Sequence, residues 1–372
     1  MSGMKIAFID SNDGIYEYAS GSPRAVGGAE RNQWLLARAL VGAGWSATVG
    51  VRGEMKPGER KVIDGVEYVG IGQGQALFAW HKFLSSERPN WLFWACAYHL
   101  WGPLVEIAKL GGIRTIFHAA FDSDVEPRKA LTLRPRWWPL YAWGLSRTDK
   151  IFVQHEGQLS RLPPQLRSKA YLLPKVCILA GADGDAGPVK PHAERERYVA
   201  WVAMLRQHKR PDVLIEIARK LPAIRFVVCG APSTLMSAPD YSERIINELR
   251  QTANIEYLGQ VPPDKAQQLI AEAALLLSTS DTEGFPNTFV QAWSSGTPVV
   301  SLKIDPDRNI QRLGLGAVSR TVERAVADII VFIDSSDRRD SIGSRARSFI
   351  VENHSAATVV SLFELALDGF HP

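Results

Sequence analysis

The chain has 372 residues, 46% hydrophobic and 22% charged, which is too long for one ordinary core and suits two soluble α/β-sized domains. Apolar runs fall short of the ~20 residues that a membrane span needs. The opening Met1-Ser-Gly-Met-Lys-Ile-Ala-Phe-Ile-Asp10 reads as a strand rather than a signal peptide. A net charge of +4, without a recognition motif, argues against a nucleic-acid partner.

Three cysteines, Cys96, Cys177 and Cys229, stand singly in apolar segments without metal-type spacing. They are expected to be reduced core thiols, and the chain to be cytoplasmic, either free or at the inner face of a membrane.

In chain order, a strand is expected over 5–9, a long loop over 10–28, a helix to about Leu40 and a strand over 47–51. Gly27 and Gly28 suit either an anion on free backbone N–H groups or a tight helix start. The spacing is not the dinucleotide fingerprint, so a nicotinamide cofactor is not expected. Strands over 91–94, 114–117 and 150–153 then alternate with helices near 76–86, 103–110 and 139–145, the pattern of a doubly wound parallel sheet.

His118 follows one of these strands, at a position that suits an acceptor-side residue or a partly buried structural histidine. Asp122 and Asp124 either bind substrate hydroxyls or cap the next segment. The stretch 131–145 mixes tryptophan with Arg134 and Arg136, next to Trp137 and Trp138. It suits a bilayer contact or a lipid-linked substrate, with core packing as the other reading.

Composition shifts over 181–191 to Gly, Ala, Asp and Pro, the expected hinge between domains. A second α/β alternation follows. Its strands are expected over 198–203, 225–229, 255–258, 273–277 and 298–301, and its helices over 211–220, 241–251 and 263–272. Two helices over 335–353 and 356–370 close the chain. Arg206-Gln-His-Lys-Arg210 precedes a helix that opens at Pro211, where cations suit a diphosphate better than they suit the helix dipole. Gly230 and the turn containing Val261 are further strand ends open to close backbone approach. Ser278 to Trp293 reads as a strand end, a polar loop with Gly284 and Pro286, and a helix that Thr288 opens. Glu283 lies in the loop and Gln291 on the helix, a pair suited to a polyhydroxylated ligand.

Glu283-Gly-Phe-Pro-Asn287, with Ala292 and Gly296-Thr-Pro-Val-Val300, resembles the signature of family-4 glycosyltransferases of the GT-B fold. Gly27-Gly-Ala-Glu30, the segment Met204 to Lys209, and Ile255 to Val261 are similar to other motifs of that family. The resemblance covers most of residues 4–354. It implies an α/β GT-B fold with two Rossmann-like doubly wound parallel-sheet domains facing a cleft. The expected division is an acceptor domain over 1–182 and a nucleotide-sugar donor domain over 183–355, with the helix 356–372 a candidate to join the first.

The implied activity is retaining, metal-independent transfer of a sugar from a nucleotide sugar to a glycan or lipid-linked acceptor in surface polysaccharide assembly. The nucleotide sugar is then a substrate, and no separate cofactor is expected. A sugar-nucleotide epimerase and a non-catalytic nucleotide-sugar or glycan binder remain as alternatives. By resemblance Glu283 contacts sugar hydroxyls, Lys209 holds the diphosphate, and His118 lies near the acceptor with Asp122. Donor contacts are implied for Arg206, Gly230, Val261, Gly284, Phe285, Pro286, Asn287 and Gln291. The chain departs from the pattern at Gln291, where the family carries Glu, and at Met204, where it carries Arg. Arg210-Pro211 replaces a glycine after Lys209.

Overall fold

In this computed structural model the described residues are 3–21, 27–177, 189–233, 238 and 240–368. The hinge expected over 181–191 lies largely outside them. Two compact units emerge, one of 1–176 with 356–372 and one of 177–355.

The first unit is built on an eight-stranded sheet. Its strands are β1 (Lys5–Asp10), β2 (Ser46–Val51), β3 (Arg60–Ile63), β4 (Val66–Gly70), β5 (Trp91–Ala95), β6 (Arg114–His118), β7 (Lys150–Val153) and β8 (Ala170–Leu172), in the order β3-β4-β2-β1-β5-β6-β7-β8. All pairs are parallel except β3 with β4. Those two form a hairpin through Asp64 and Gly65, both at positive φ, the backbone that a two-residue hairpin turn requires. The sequence pattern had left this hairpin unassigned.

β1 is buried almost throughout, because parallel sheets are covered on both faces. Trp80, Trp91 and Trp101 are fully buried and Trp94 nearly so. These four tryptophans are therefore core. The helices Trp101–Leu110 and Trp138–Arg147 cross at two glycines: a Cβ on Gly144 would lie 2.6 Å from the Gly102 nitrogen. Trp143 lies over Gly102 at that crossing and is still partly exposed, as is Trp137. The helix Ala356–Leu367 belongs to this unit, where Phe363 stacks on Phe152 at 5.2 Å and Glu364 accepts a bond from Trp45 Nε1 at 2.8 Å.

The second unit carries a parallel six-stranded sheet of β9 (Tyr198–Val202), β10 (Arg225–Cys229), β11 (Ile255–Gly259), β12 (Leu275–Ser278), β13 (Val299–Ser301) and β14 (Gly316–Val318). Their order is β11-β10-β9-β12-β13-β14. The order turns back at β9 and β12, the point where open α/β sheets bind ligands outside the carboxyl ends of their strands. The helix Pro211–Lys220 after β9 begins with proline, whose missing N–H is not needed there, and buries Val213, Leu214, Ile217 and Ala218 on the sheet.

Three details differ from the sequence pattern. The loop expected over 10–28 contains a short helix, Gly14–Ala19. Its start is held by Asp10 at the end of β1, whose Oδ2 accepts the Tyr16 N–H at 2.9 Å. Cys96 stands one residue past β5 at φ +70° rather than inside a strand. The helix expected from Thr288 begins one residue earlier, at Asn287.

Asp10 is 1% exposed, and its Oδ1 has no hydrogen-bond partner among the described residues. Burial pushes its carboxyl up to about 8, against the Tyr16 N–H bond that favours the anion. The unfolded carboxyl releases its proton near 3.8. Between the two values the folded state holds the extra proton, so stability from this group falls as pH rises. Asp10→Asn keeps an acceptor for Tyr16 and removes the titration. Its gain in Tm over the parent is expected to widen from about pH 5 to about pH 8.5. A difference that stays constant with pH would assign Asp10 an ordinary carboxyl.

Candidate functional site

In the second unit, two loops meet at the carboxyl ends of the neighbouring strands β9 and β12. The loop after β9 turns through a short 3-10 segment, Gln207–Lys209, and the loop after β12 runs from Thr279 to Pro286. They are fastened to each other by backbone and side chain. Thr279 Oγ1 donates to the Lys209 carbonyl at 2.7 Å and accepts from Trp201 Nε1 at 3.0 Å. The Asp281 N–H donates to the His208 carbonyl at 2.8 Å. Lys209 Nζ pairs with Glu283 Oε1, with the carboxylate side chain only 9% exposed. A cation and a carboxylate expected to serve opposite ends of one ligand are thus brought together by adjacent loops.

The other donor-side residues divide by what they touch. Arg206 Nε donates to Ser233 Oγ at 3.2 Å. Arg210 is committed to Asp212 and Asp281, as Lys209 is to Glu283. The two ring nitrogens of His208 are buried without hydrogen-bond partners among the described residues. Burial and the adjacent Lys209 hold that imidazole below its ordinary value, so it is neutral at physiological pH.

Close approach at Gly230 is made by the protein itself: a Cβ there would lie 1.8 Å from the Ala203 carbonyl oxygen. Its own carbonyl accepts from Tyr257 Oη at 2.8 Å. Phe285 is buried against Trp293 and His354, so its side chain anchors the loop in the core. Gly284 and Pro286 are buried, and Asn287 and Val261 half-buried. Gln291 is 9% exposed on the helix Asn287–Ser294, and its backbone carbonyl accepts from Gln267 Nε2 at 3.1 Å.

The first unit gathers a second polar group at the carboxyl ends of β1, β5 and β6. His118 closes β6 with 6% exposure, and its Nε2 has no partner among the described residues. Burial and then the charge of Lys175 push it down to about 3, so the imidazole is neutral. Lys175 also acts on Cys96, whose thiol burial raises. Gly27 precedes the helix Gly28–Gly42, and Glu30 in its first turn accepts from Asn12 Nδ2 at 2.7 Å.

The aspartates after β6 sort toward structure. Asp122 is held by His155 Nε2 at 2.8 Å and Arg161 Nη1 at 2.9 Å, so its carboxylate already anchors the helix Glu156–Arg161. Asp124 accepts the Ala120 and Phe121 N–H groups at 2.8 and 2.9 Å, the capping alternative. Among the described residues, no three His, Cys, Asp or Glu side chains are placed to hold a metal ion.

Sequence patterning singled out neither Thr279 nor Asp281, although both lie in the stretch it emphasised. Their roles depend on where the β9 loop sits, which spacing within one loop cannot give. Asp10 carried no signal beyond standing at a strand end.

Residues 186–349 match the family described as glycosyl transferases group 1. The chain is 34% identical over 110 residues to the D-inositol 3-phosphate glycosyltransferase of Mycobacterium tuberculosis, a match over 29% of this chain and 23% of that protein. Aligned in this way, the chain spans about a quarter of the length of such curated relatives. Among solved structures, it is similar to the sucrose-phosphate synthase of Thermosynechococcus elongatus, with a TM-score of 0.74 at 14% identity over 99% of both chains. HepE of Anabaena in complex with UDP-glucose gives 0.72 at 14% identity, over 99% of this chain and 100% of the other. WaaG, a glycosyltransferase involved in lipopolysaccharide biosynthesis, gives 0.65 at 15% identity, over 97% of this chain and 99% of the other. At such identity the structures speak to the fold, and the family match to residues 186–349. The chain therefore has the GT-B fold of two Rossmann-like units, and its residues 186–349 match the family of group 1 glycosyl transferases.

Proposed function

We propose that this protein is a retaining, metal-independent glycosyltransferase that moves a sugar from a nucleotide sugar, bound on the second unit, to a glycan or lipid-linked acceptor. The observation that carries the reading is the Lys209–Glu283 pair at the topological switch point of the second sheet. In such a transfer the bond from the anomeric carbon to the phosphate oxygen breaks, and an acceptor hydroxyl oxygen bonds to that carbon and loses its proton. Negative charge grows on the leaving diphosphate. Lys209, with Arg206 beside it, supplies fixed positive charge at that end. Glu283, anchored through the buried Phe285 and Pro286, accepts hydrogen bonds from sugar hydroxyls. Gln291 stands at the ribose, where its amide both donates and accepts. UDP-glucose is a reasonable first donor to test, since HepE of Anabaena was solved with it.

On the first unit, the neutral His118 is assigned to a hydrogen bond on the acceptor side or on the transferred sugar. Asp122 has a weaker claim, because His155 and Arg161 already occupy it.

A membrane-associated acceptor in surface polysaccharide assembly is supported by the face at 128–147. Leu133 is 73% exposed, Trp137 45% and Trp143 42%, with Arg128, Lys129, Arg134, Arg136 and Arg147 around them. Exposed indole beside guanidinium suits an anionic bilayer surface. No helix among the described residues is long and apolar enough to cross a membrane.

Two experiments test these assignments. Lys209→Ala and Glu283→Ala should each lower transfer by about 10²-fold or more. They should split on binding. Loss of Lys209 weakens nucleoside diphosphate binding, whereas loss of Glu283 removes the carboxylate that competes for Lys209 and strengthens it. Near-normal turnover in either variant would reject the catalytic role, and donor binding without transfer or hydrolysis in the parent would make this a binding protein. Flotation with vesicles containing anionic lipid should fall when Arg134, Arg136, Trp137 and Trp138 are replaced together. Unchanged flotation would remove the membrane contact from this face.

A further inference from the structure

Arg210 lies between Lys209 and the helix Pro211–Lys220, at φ 51° and ψ 53°. This is the left-handed region, which disfavours a side chain with a Cβ and suits glycine. Such a conformation persists only where the surroundings hold it. Here the surroundings are carboxylates. Arg210 Nε lies 3.1 Å from both Asp212 carboxylate oxygens, and Nη2 lies 2.9 Å from Asp212 Oδ2. Nη1 reaches across to Asp281 Oδ2 at 3.3 Å. Asp281 also pairs with Lys303, and it stands two residues before Glu283.

The guanidinium is therefore a strut between two loops. One end is fixed to the first turn of its own helix through Asp212. The other end is fixed to the loop that presents Glu283. The residue immediately before it is Lys209. Backbone ties from Asp281 to His208 and from Thr279 to Lys209 set the two loops side by side. Those ties fix the backbones but leave the register of the Lys209 side chain against Glu283 to the strut. A planar fork suits this task better than an ammonium, because it engages both carboxylates from one rigid group.

We propose that Arg210 is a positioning residue: by bridging Asp212 and Asp281 it fixes the spacing of Lys209 and Glu283, and so tunes affinity for the diphosphate end of the donor. This rests on the donor-site reading above.

A double-mutant cycle of Arg210→Gly and Asp281→Asn separates positioning from mere stability. The probe is whichever of UDP, GDP and ADP raises the Tm of the parent most. Arg210→Gly suits the left-handed backbone, so Tm should hold, while the Kd for the probe rises by about threefold to tenfold at low ionic strength. Asp281→Asn should weaken binding to a similar extent, and the double variant should be no worse than the poorer single. Arg210→Lys should recover part of the loss, since it keeps the charge without the fork. Parent-like binding by Arg210→Gly, or singles whose effects multiply in the double variant, would overturn the proposal. If none of the three nucleotides binds the parent, the donor-site reading falls instead.

Discussion

The second unit depends on how a lysine and a glutamate come to share one small volume at the ends of two adjacent strands. Taking both charges out of water is unfavourable, and their attraction repays that only in good geometry with further hydrogen bonds around them. Thr279 and Asp281 supply part of that geometry by donating to the Lys209 and His208 carbonyls, with Thr279 held in turn by the indole of Trp201. Phe285 supplies the rest by burying itself between Trp293 and His354. The loop that carries Glu283 is thus rigid for an apolar reason and aimed for a polar one. The two charges satisfy each other.

The first unit solves a different problem. At the carboxyl ends of β1 and β6, Asp10 and His118 each keep one polar atom buried without a partner among the described residues. Burial drives both toward their neutral forms: the carboxyl is raised and the imidazole lowered. Neutral groups at buried strand ends can orient hydroxyls without attracting ions, which fits a sugar or alcohol acceptor better than an anion. Asp122, by contrast, is consumed by its salt bridges, and Asp124 by two backbone N–H groups.

The tryptophans divide along a similar line. Those at 80, 91, 94 and 101 fill the core of the first unit, where their area contributes stability, whereas Trp137 and Trp143 stay partly exposed, Trp143 while lying over Gly102. Counting tryptophans in the sequence could not separate the groups. Burial decides, and burial depends on which face of each helix meets its neighbour.

By itself the sequence determined the alternation of strand and helix in both halves, the loop at Glu283, the basic loop before Pro211 and the family that these resemble. Those features are local: periodicity, proline and glycine placement, and short motifs survive without knowledge of partners. The Asp64-Gly65 turn of the β3–β4 hairpin is a local signal too, but the strands beside it are short and partly polar, so periodicity does not mark them. Only the tertiary structure decided which residues act together. Lys209 and Glu283 lie 74 positions apart, and the pairing of β9 with β12 is what joins them. The same pairing turned Asp281 from one polar loop residue among several into the far anchor of Arg210. It showed that the close neighbour of Gly230 is the Ala203 carbonyl of its own chain. Contacts between loops on different strands depend on sheet order, and sheet order is fixed by packing across the whole unit rather than by any one stretch of chain.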